Sequence, residues 1–201
     1  MSITPSAIAS VVERLHMAMD GIEQRLNEAD AKLGDGDTGG MLARVLAKMA
    51  ETDLSGAVDP GTALTALAKA ATIATGSSLG TLLATGLMAA GRTIKGRESV
   101  RVGELSEMVA VARDAMIARG GASLGDKTVL DSLDAVADAL KGATTSAQAA
   151  HAVAQGAATA LEAFRSRPNR IGRARMFGDG TVGLDDPGML AVKELAAKLA
   201  G

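Results

Sequence analysis

Apolar residues recur along this chain mostly at intervals of three and four, the period of a helix with one face on a core. The clearest run is Ile8, Val12, Leu15, Met19, Ile22 and Leu26, preceded by Thr4-Pro5, a capping hydroxyl and a proline at the first helical position. It predicts one long amphipathic helix. Four residues beyond Leu26 the same stripe reaches Asp30, so this carboxylate should emerge toward the core, where an unpaired charge is expensive and a cation beside it is favoured. Further helices are predicted at about Met41–Glu51, Pro60–Thr75 after a capping Asp59, Ser78–Thr93, Val102–Arg119, Thr128–Lys141, Ser146–Ser166 and Pro187–Ala200. With Gly120-Gly121 and Gly142 as stops and mostly short connections, the eight helices read as one all-α domain over residues 1–201, sequential neighbours antiparallel. No internal repeat or linker divides the chain. The longest irregular piece, Arg167 to Asp186, is rich in Arg, Gly and Asp, and a loop of that length is usually functional or mobile.

Composition narrows the function classes. The chain holds two Phe, no Trp and no Tyr, and its net charge is −2, so it has neither the stacking surfaces nor the basic footprint of a nucleic-acid binder. An Ala-, Leu- and Met-rich chain without aromatic or β-branched runs favours helices over sheets. With no cysteine, disulfides and thiolate metal sites are excluded. The N-terminal residues carry no basic signal-type region and no stretch has the apolar length of a membrane span, which makes the cytoplasm the expected location. His16 and His151 are solitary and are read as structural or surface residues, and the methionines at 17, 19, 41, 49, 88, 108 and 116 as core filler.

The chemistry concentrates in Asp30-Ala31-Lys32-Leu33-Gly34-Asp35-Gly36-Asp37-Thr38-Gly39-Gly40, three carboxylates and four glycines within eleven residues. Clustered carboxylates repel one another unless a cation sits among them, and hard oxygen donors suit Mg²⁺ or Ca²⁺. Gly34 to Gly39 spells G-x-G-x-x-G, but a helix rather than a strand precedes it and bare carboxylates would repel a pyrophosphate. An EF-hand loop counted from Asp35 fails as well, because Gly39 falls at the third ligand position and Leu46 at the twelfth. Mg²⁺ shared between carboxylates and phosphates remains, against a solvated acidic turn as the alternative.

Three more loops carry weaker signals. Thr75-Gly76-Ser77-Ser78 opens a helix and suits a phosphate cradle, though a plain serine cap uses the same letters. Gly120 to Thr128 resembles a Walker A loop, but Asp126 separates Gly125 from Lys127 and a helix precedes it, so a P-loop is rejected. Lys127 and Thr128 are still expected at a helix start where phosphate or an adenosine edge docks. Gly172-Arg173-Ala174-Arg175, with Asp185-Asp186-Pro187-Gly188, offers two guanidinium groups suited to clamping phosphate.

Taken in order, Asp30 with Gly34-Asp35-Gly36-Asp37-Thr38-Gly39, then Gly76-Ser77-Ser78, then Gly125-Asp126-Lys127-Thr128-Val129-Leu130-Asp131, then Gly172-Arg173-Ala174 and Asp186-Pro187-Gly188 resemble the nucleotide-binding L subunit of dihydroxyacetone kinase over nearly the whole chain. The resemblance implies an eight-helix antiparallel α-barrel. It implies that Asp30, Asp35 and Asp37 hold two Mg²⁺ ions bridging the phosphates of ADP or ATP, beside Thr38 and Gly39. Ser77 and Ser78 would bind phosphate, Gly125, Thr128 and Leu130 would line the adenosine site, and Arg173, Asp186 and Gly188 would close over it. Adenine would lie on aliphatic side chains such as Leu79, Leu124 or Leu130, since no Tyr or Trp exists. No protein group is expected to act as a covalent catalyst; transfer would be metal-assisted.

Two departures matter. Thr38 stands where the family usually has His, and a Thr at that position instead resembles the nucleotide-binding domain of fatty acid kinase; Arg175-Met176-Phe177 replaces a usual Ser-Tyr pair. The expected activity is phosphoryl transfer to a small hydroxyketone held by a substrate-binding partner subunit. The alternatives are a fatty-acid-kinase-like nucleotide domain and a non-catalytic nucleotide-binding regulatory module. Exchangeable ATP and a phosphotransferase-system partner that recharges retained ADP both stay open as donors, and so does a homodimer.

Overall fold

A computed structural model describes residues 2–201, and nine α-helices run through them. They are α1 (Pro5–Ala18), α2 (Glu23–Asp30), α3 (Thr38–Ala50), α4 (Pro60–Ala74), α5 (Ser78–Thr93), α6 (Leu105–Gly120), α7 (Val129–Ala139), α8 (Ser146–Arg165) and α9 (Pro187–Ala200). The expected single first helix is therefore two. A 3₁₀ turn at Met19–Gly21 interrupts it, and Ile22 leaves helical geometry at φ −127°, just after Asp20-Gly21, a pair of weak helix formers. The apolar stripe survives the break: Met19, Ile22 and Leu26 are all buried. Counted with α1 and α2 as one broken stave, eight staves remain.

Each stave packs on its neighbours in sequence, from α1 and α2 to α3 and onward to α9, and α9 returns to α1 and α2, so the ring closes into a barrel. Closure is reinforced by Arg14, whose guanidinium donates to the Lys198 and Leu199 carbonyls at the end of α9, and by the Arg25–Glu194 pair at 3.0 Å between α2 and α9. Antiparallel neighbours follow from chain reach: three residues between α4 and α5 span roughly 10 Å at most, too little to return along a 15-residue helix. The main core joins α1 to α5 with α8 and α9, and a second cluster of Val102, Val136, Leu140 and Ala157 fills the α6 to α9 side.

Scarce aromatics are offset by close approach of small residues. A Cβ on Gly61 would lie 2.4 Å from the Gly91 carbonyl oxygen, so α4 and α5 touch backbone to backbone. Met19, Met41, Met49 and Met116 are core residues as expected, but Met17 is not; it lies on the outer face of α1, 67% exposed.

Other boundaries shift for local reasons. α3 starts at Thr38, three residues before the expected Met41, because Gly39 and Gly40 form its first turn. Residues 102–104 are a 3₁₀ turn before α6, and Ala174–Thr181, expected as irregular, is a 3₁₀ segment kinked at Gly178. A two-residue antiparallel ladder pairs β1 (Ser2–Ile3) with β2 (Val100–Arg101), which periodicity over so short a run cannot reveal. Among the described residues no helix is long and apolar enough to cross a membrane.

Candidate functional site

The alternating course of the staves brings the N-termini of α3, α5, α7 and α9 to one end of the barrel, together with the C-terminal ends of α2 and α6. There they surround a cleft of about 920 Å³. Four helix N-termini facing one cavity set a positive field and suit an anion. The Asp-rich loop sits on its rim.

Asp30 ends α2 and is 8% exposed, and its Oδ2 accepts the N–H groups of Asp37 (2.9 Å) and Thr38 (3.1 Å). Gly34 is required beside it: a Cβ there would come within 2.5 Å of Asp30 Oδ1. Asn27, one turn earlier, accepts the next two N–H groups through Oδ1, from Gly39 at 2.8 Å and Gly40 at 3.1 Å. The first turn of α3 is thus capped from α2, which holds the loop between them in place. Asp35 and Asp37 are exposed, and oxygen atoms of the three carboxylates lie within 4.8 Å of one another. This all-oxygen set, one member buried and fixed by hydrogen bonds, fits Mg²⁺. The exposed Arg173 reaches across from the long loop to pair with Asp35, and holds the Asp35 carboxyl below the usual carboxylate range.

Of the residues singled out in the sequence, Asp30, Asp35, Asp37, Thr38, Ser77, Ser78, Thr128, Leu130, Arg173, Asp186 and Gly188 line this one cleft. Gly39 and Gly125 do not. The Gly39 N–H is taken by Asn27, and a Cβ on it would lie 2.1 Å from the Glu23 carbonyl oxygen, so the residue serves the contact between α2 and α3. The Gly125 N–H donates to Asp131 Oδ1 at 2.6 Å. Ser77 caps α5 by accepting the Gly80 N–H at 3.0 Å, whereas the hydroxyl of Ser78 is exposed and has no hydrogen-bond partner among the described residues. Thr128 caps α7, and its own N–H donates to Asp131 Oδ2 at 2.8 Å. Leu79 and Leu130 lie on the cleft wall, but Leu124 faces solvent outside it.

Lys127 corrects the sequence reading most sharply. Expected at a phosphate or adenosine edge, it is 1% exposed, and its Nζ donates to the carbonyl oxygens of Arg167 (2.8 Å), Thr181 (2.9 Å) and Arg165 (3.3 Å). Burial pushes its pKa down, against the charges of Asp186 and Asp185. Asp186 caps α9 through the Met189 N–H at 2.9 Å, and burial raises its carboxyl to about 6 despite the Met189, Asn169 and Gly188 donors that favour its charge.

Two basic residues that periodicity passed over also line the cleft. Arg44 lies one turn beyond Gly40 on α3 and Arg119 lies in the last turn of α6, and neither has a salt-bridge partner among the described residues. A charged residue entering a mostly apolar helix was the available signal for each. His16 and His151 stay outside the cleft.

Known proteins are similar to this chain in sequence and fold. L-erythrulose 1-kinase of Mycolicibacterium smegmatis is 31% identical over 198 residues, covering 96% of this chain and 34% of that protein. The ADP-binding subunit DhaL of the PEP-dependent dihydroxyacetone kinase of Escherichia coli is 27% identical over 214 residues, covering 100% of this chain and 98% of the subunit. The crystal structure of the C. freundii dihydroxyacetone kinase in complex with AMP-PNP and Mg²⁺ superposes with a TM-score of 0.73 at 26% identity, over 100% of this chain and 34% of that one. The chain therefore spans about a third of the length of the M. smegmatis and C. freundii proteins and nearly all of the E. coli subunit. A family model described as the DAK2 domain matches residues 32–201, a span that takes in every residue lining the cleft except Asp30, and the chain belongs to that family.

Proposed function

We propose that this chain is the nucleotide-carrying part of a dihydroxyacetone-type kinase, holding ADP or ATP with two Mg²⁺ ions for phosphoryl transfer to a small hydroxyketone on a partner subunit. The observation that carries this reading is one cleft in which four helix N-termini, suited to phosphates, face three clustered carboxylates, suited to metal. Each charge pattern alone would repel one half of a metal–nucleotide pair; together they accept both. The reading draws support from relatives described as an ADP-binding subunit and as bound to AMP-PNP and Mg²⁺. The erythrulose kinase among them extends the acceptor class from three to four carbons.

In this reading Asp30, Asp35 and Asp37 hold the metal. When bound, Mg²⁺ neutralises phosphate charge that would otherwise repel the incoming hydroxyl oxygen. The exposed hydroxyl of Ser78 would donate to phosphate, Leu79, Leu130 and Ile171 would give adenine an apolar wall, and Arg173, which pairs with Asp35, would be free to pair with phosphate where metal is held by that carboxylate. No side chain is asked to form a covalent intermediate.

The cleft holds no His and no exposed Lys to capture a carbonyl substrate. A chain that positions only the donor leaves the acceptor free in solution and forfeits the orientation on which phosphoryl transfer depends. Incubation of the purified chain with ATP, Mg²⁺ and dihydroxyacetone or erythrulose is expected to give sugar phosphate at background rate. Addition of a substrate-binding subunit of a split dihydroxyacetone kinase should restore turnover. Rapid turnover by the isolated chain would refute the split assignment.

A further inference from the structure

Lys127 combines two unfavourable features. Its backbone is left-handed at φ +62°, a conformation that favours glycine, and its ammonium is buried against neutral carbonyls. Residues that retain such strain are held there by their surroundings and cluster at functional sites. What the arrangement achieves is visible in the partners: Arg165 ends α8, Arg167 opens the long loop and Thr181 ends its 3₁₀ segment, and three N–H donors of one ammonium draw these points together.

The rest of the junction is polar and interlocked. The Lys127 carbonyl accepts from Asn169 Nδ2 at 2.9 Å, and the same amide donates to Asp186 Oδ2 at 2.8 Å. Thr181 Oγ1 accepts the Asn169 N–H and donates to the Gly178 carbonyl, both at 2.8 Å. Three cleft-lining pieces meet here: the start of α7, the loop bearing Arg173, and the start of α9. Beyond the junction the loop is held near its start by Ile171 against the Leu130 cluster and by the Arg170 N–H on the Asp126 carbonyl, and past Arg173 it has little packing of its own. Ala174 is buried, but residues 175–180 are all exposed. Its place over the cleft is therefore set at its base.

We propose that Lys127 is a positioning residue, which fixes the base of the 167–181 loop so that Arg173 stands at the cleft, ready for phosphate. The part played by phosphate rests on the nucleotide reading given above; the anchoring of the loop does not.

A double-mutant cycle with Mg²⁺ and ADP tests it, read by calorimetry, alongside amide hydrogen exchange of residues 168–181 without nucleotide. Lys127→Met and Arg173→Ala are each expected to weaken binding about tenfold, and the double variant also about tenfold rather than about a hundredfold, because Lys127 acts through Arg173. Exchange in the loop should accelerate at least about tenfold in Lys127→Met and stay unchanged in Arg173→Ala. Additive losses in the cycle, or unchanged exchange in Lys127→Met, would overturn the inference. Should wild type bind no nucleotide, the functional reading fails while the exchange result still decides the anchor. If Lys127→Met does not fold, Lys127→Arg takes its place: it keeps the charge, but a planar guanidinium cannot aim its donors at all three carbonyls as the ammonium does, so loop exchange should accelerate in the same direction, with unchanged exchange counting against the anchor.

Discussion

Asp35→Asn and Asp37→Asn are each expected to weaken Mg²⁺-dependent ADP binding on the order of 100-fold while shifting the melting temperature by no more than about 2 °C. Both side chains are exposed, and Asp37, although at the cap position of α3, makes no capping hydrogen bond with its carboxylate. The Arg173–Asp35 pair that the first variant removes is exposed on both sides, where ion pairs contribute little. Asp30 must behave differently, since its buried carboxylate accepts two N–H groups at the start of α3. Asp30→Ala should lose binding and also about 1–3 kcal/mol of stability. Calorimetric titrations and thermal scans on the three variants separate these effects. A large stability loss in Asp35→Asn would show that the cluster is structural.

Gly39→Ala is expected to destabilise the fold by about 3 kcal/mol or more, a fall in melting temperature near 10 °C. The added Cβ would lie 2.1 Å from the Glu23 carbonyl oxygen and 2.8 Å from Asn27 Oδ1. Backbone cannot rotate away as a side chain can, so α2 and α3 must separate. That separation would also break the caps from Asp30 and Asn27. Its neighbour supplies the control. A Cβ on Gly40 meets only the ends of Arg44 and Glu23, at 3.5 and 3.6 Å, so Gly40→Ala should stabilise the helix by about 0.5–1 kcal/mol. Thermal or urea unfolding of both variants checks the pair, and equal effects would contradict the close packing described between α2 and α3.

The contrast between Gly39 and Gly40 shows where the sequence was legible and where it was not. Helical periodicity located the staves, and continuing the stripe from Leu26 put Asp30 at the inner surface even though a 3₁₀ turn breaks the helix upstream. Periodicity survives such a break because the apolar face must still meet the same core. The family-like motifs name most of the cleft, since each loop follows or precedes a helix end and all those ends lie on one side of an antiparallel ring. Contacts between distant segments were not legible. Nothing local to Lys127 announces that its acceptors lie 38 to 54 residues away, and a lysine at a helix start reads most simply as a phosphate ligand. Arg44 and Arg119 were missed for a related reason: α3 meets the cleft through only Thr38, Met41 and Arg44, and α6 through Arg119 and Gly120, too few positions to change an apolar pattern.

The central claim is that metal and nucleotide occupy this cleft as one ligand pair. Titration of wild-type chain with ADP by calorimetry, once with Mg²⁺ present and once with the metal chelated, tests it most directly. Saturable binding with Mg²⁺ that is lost on chelation is the result the charge pattern predicts; equal affinity in both titrations would contradict it.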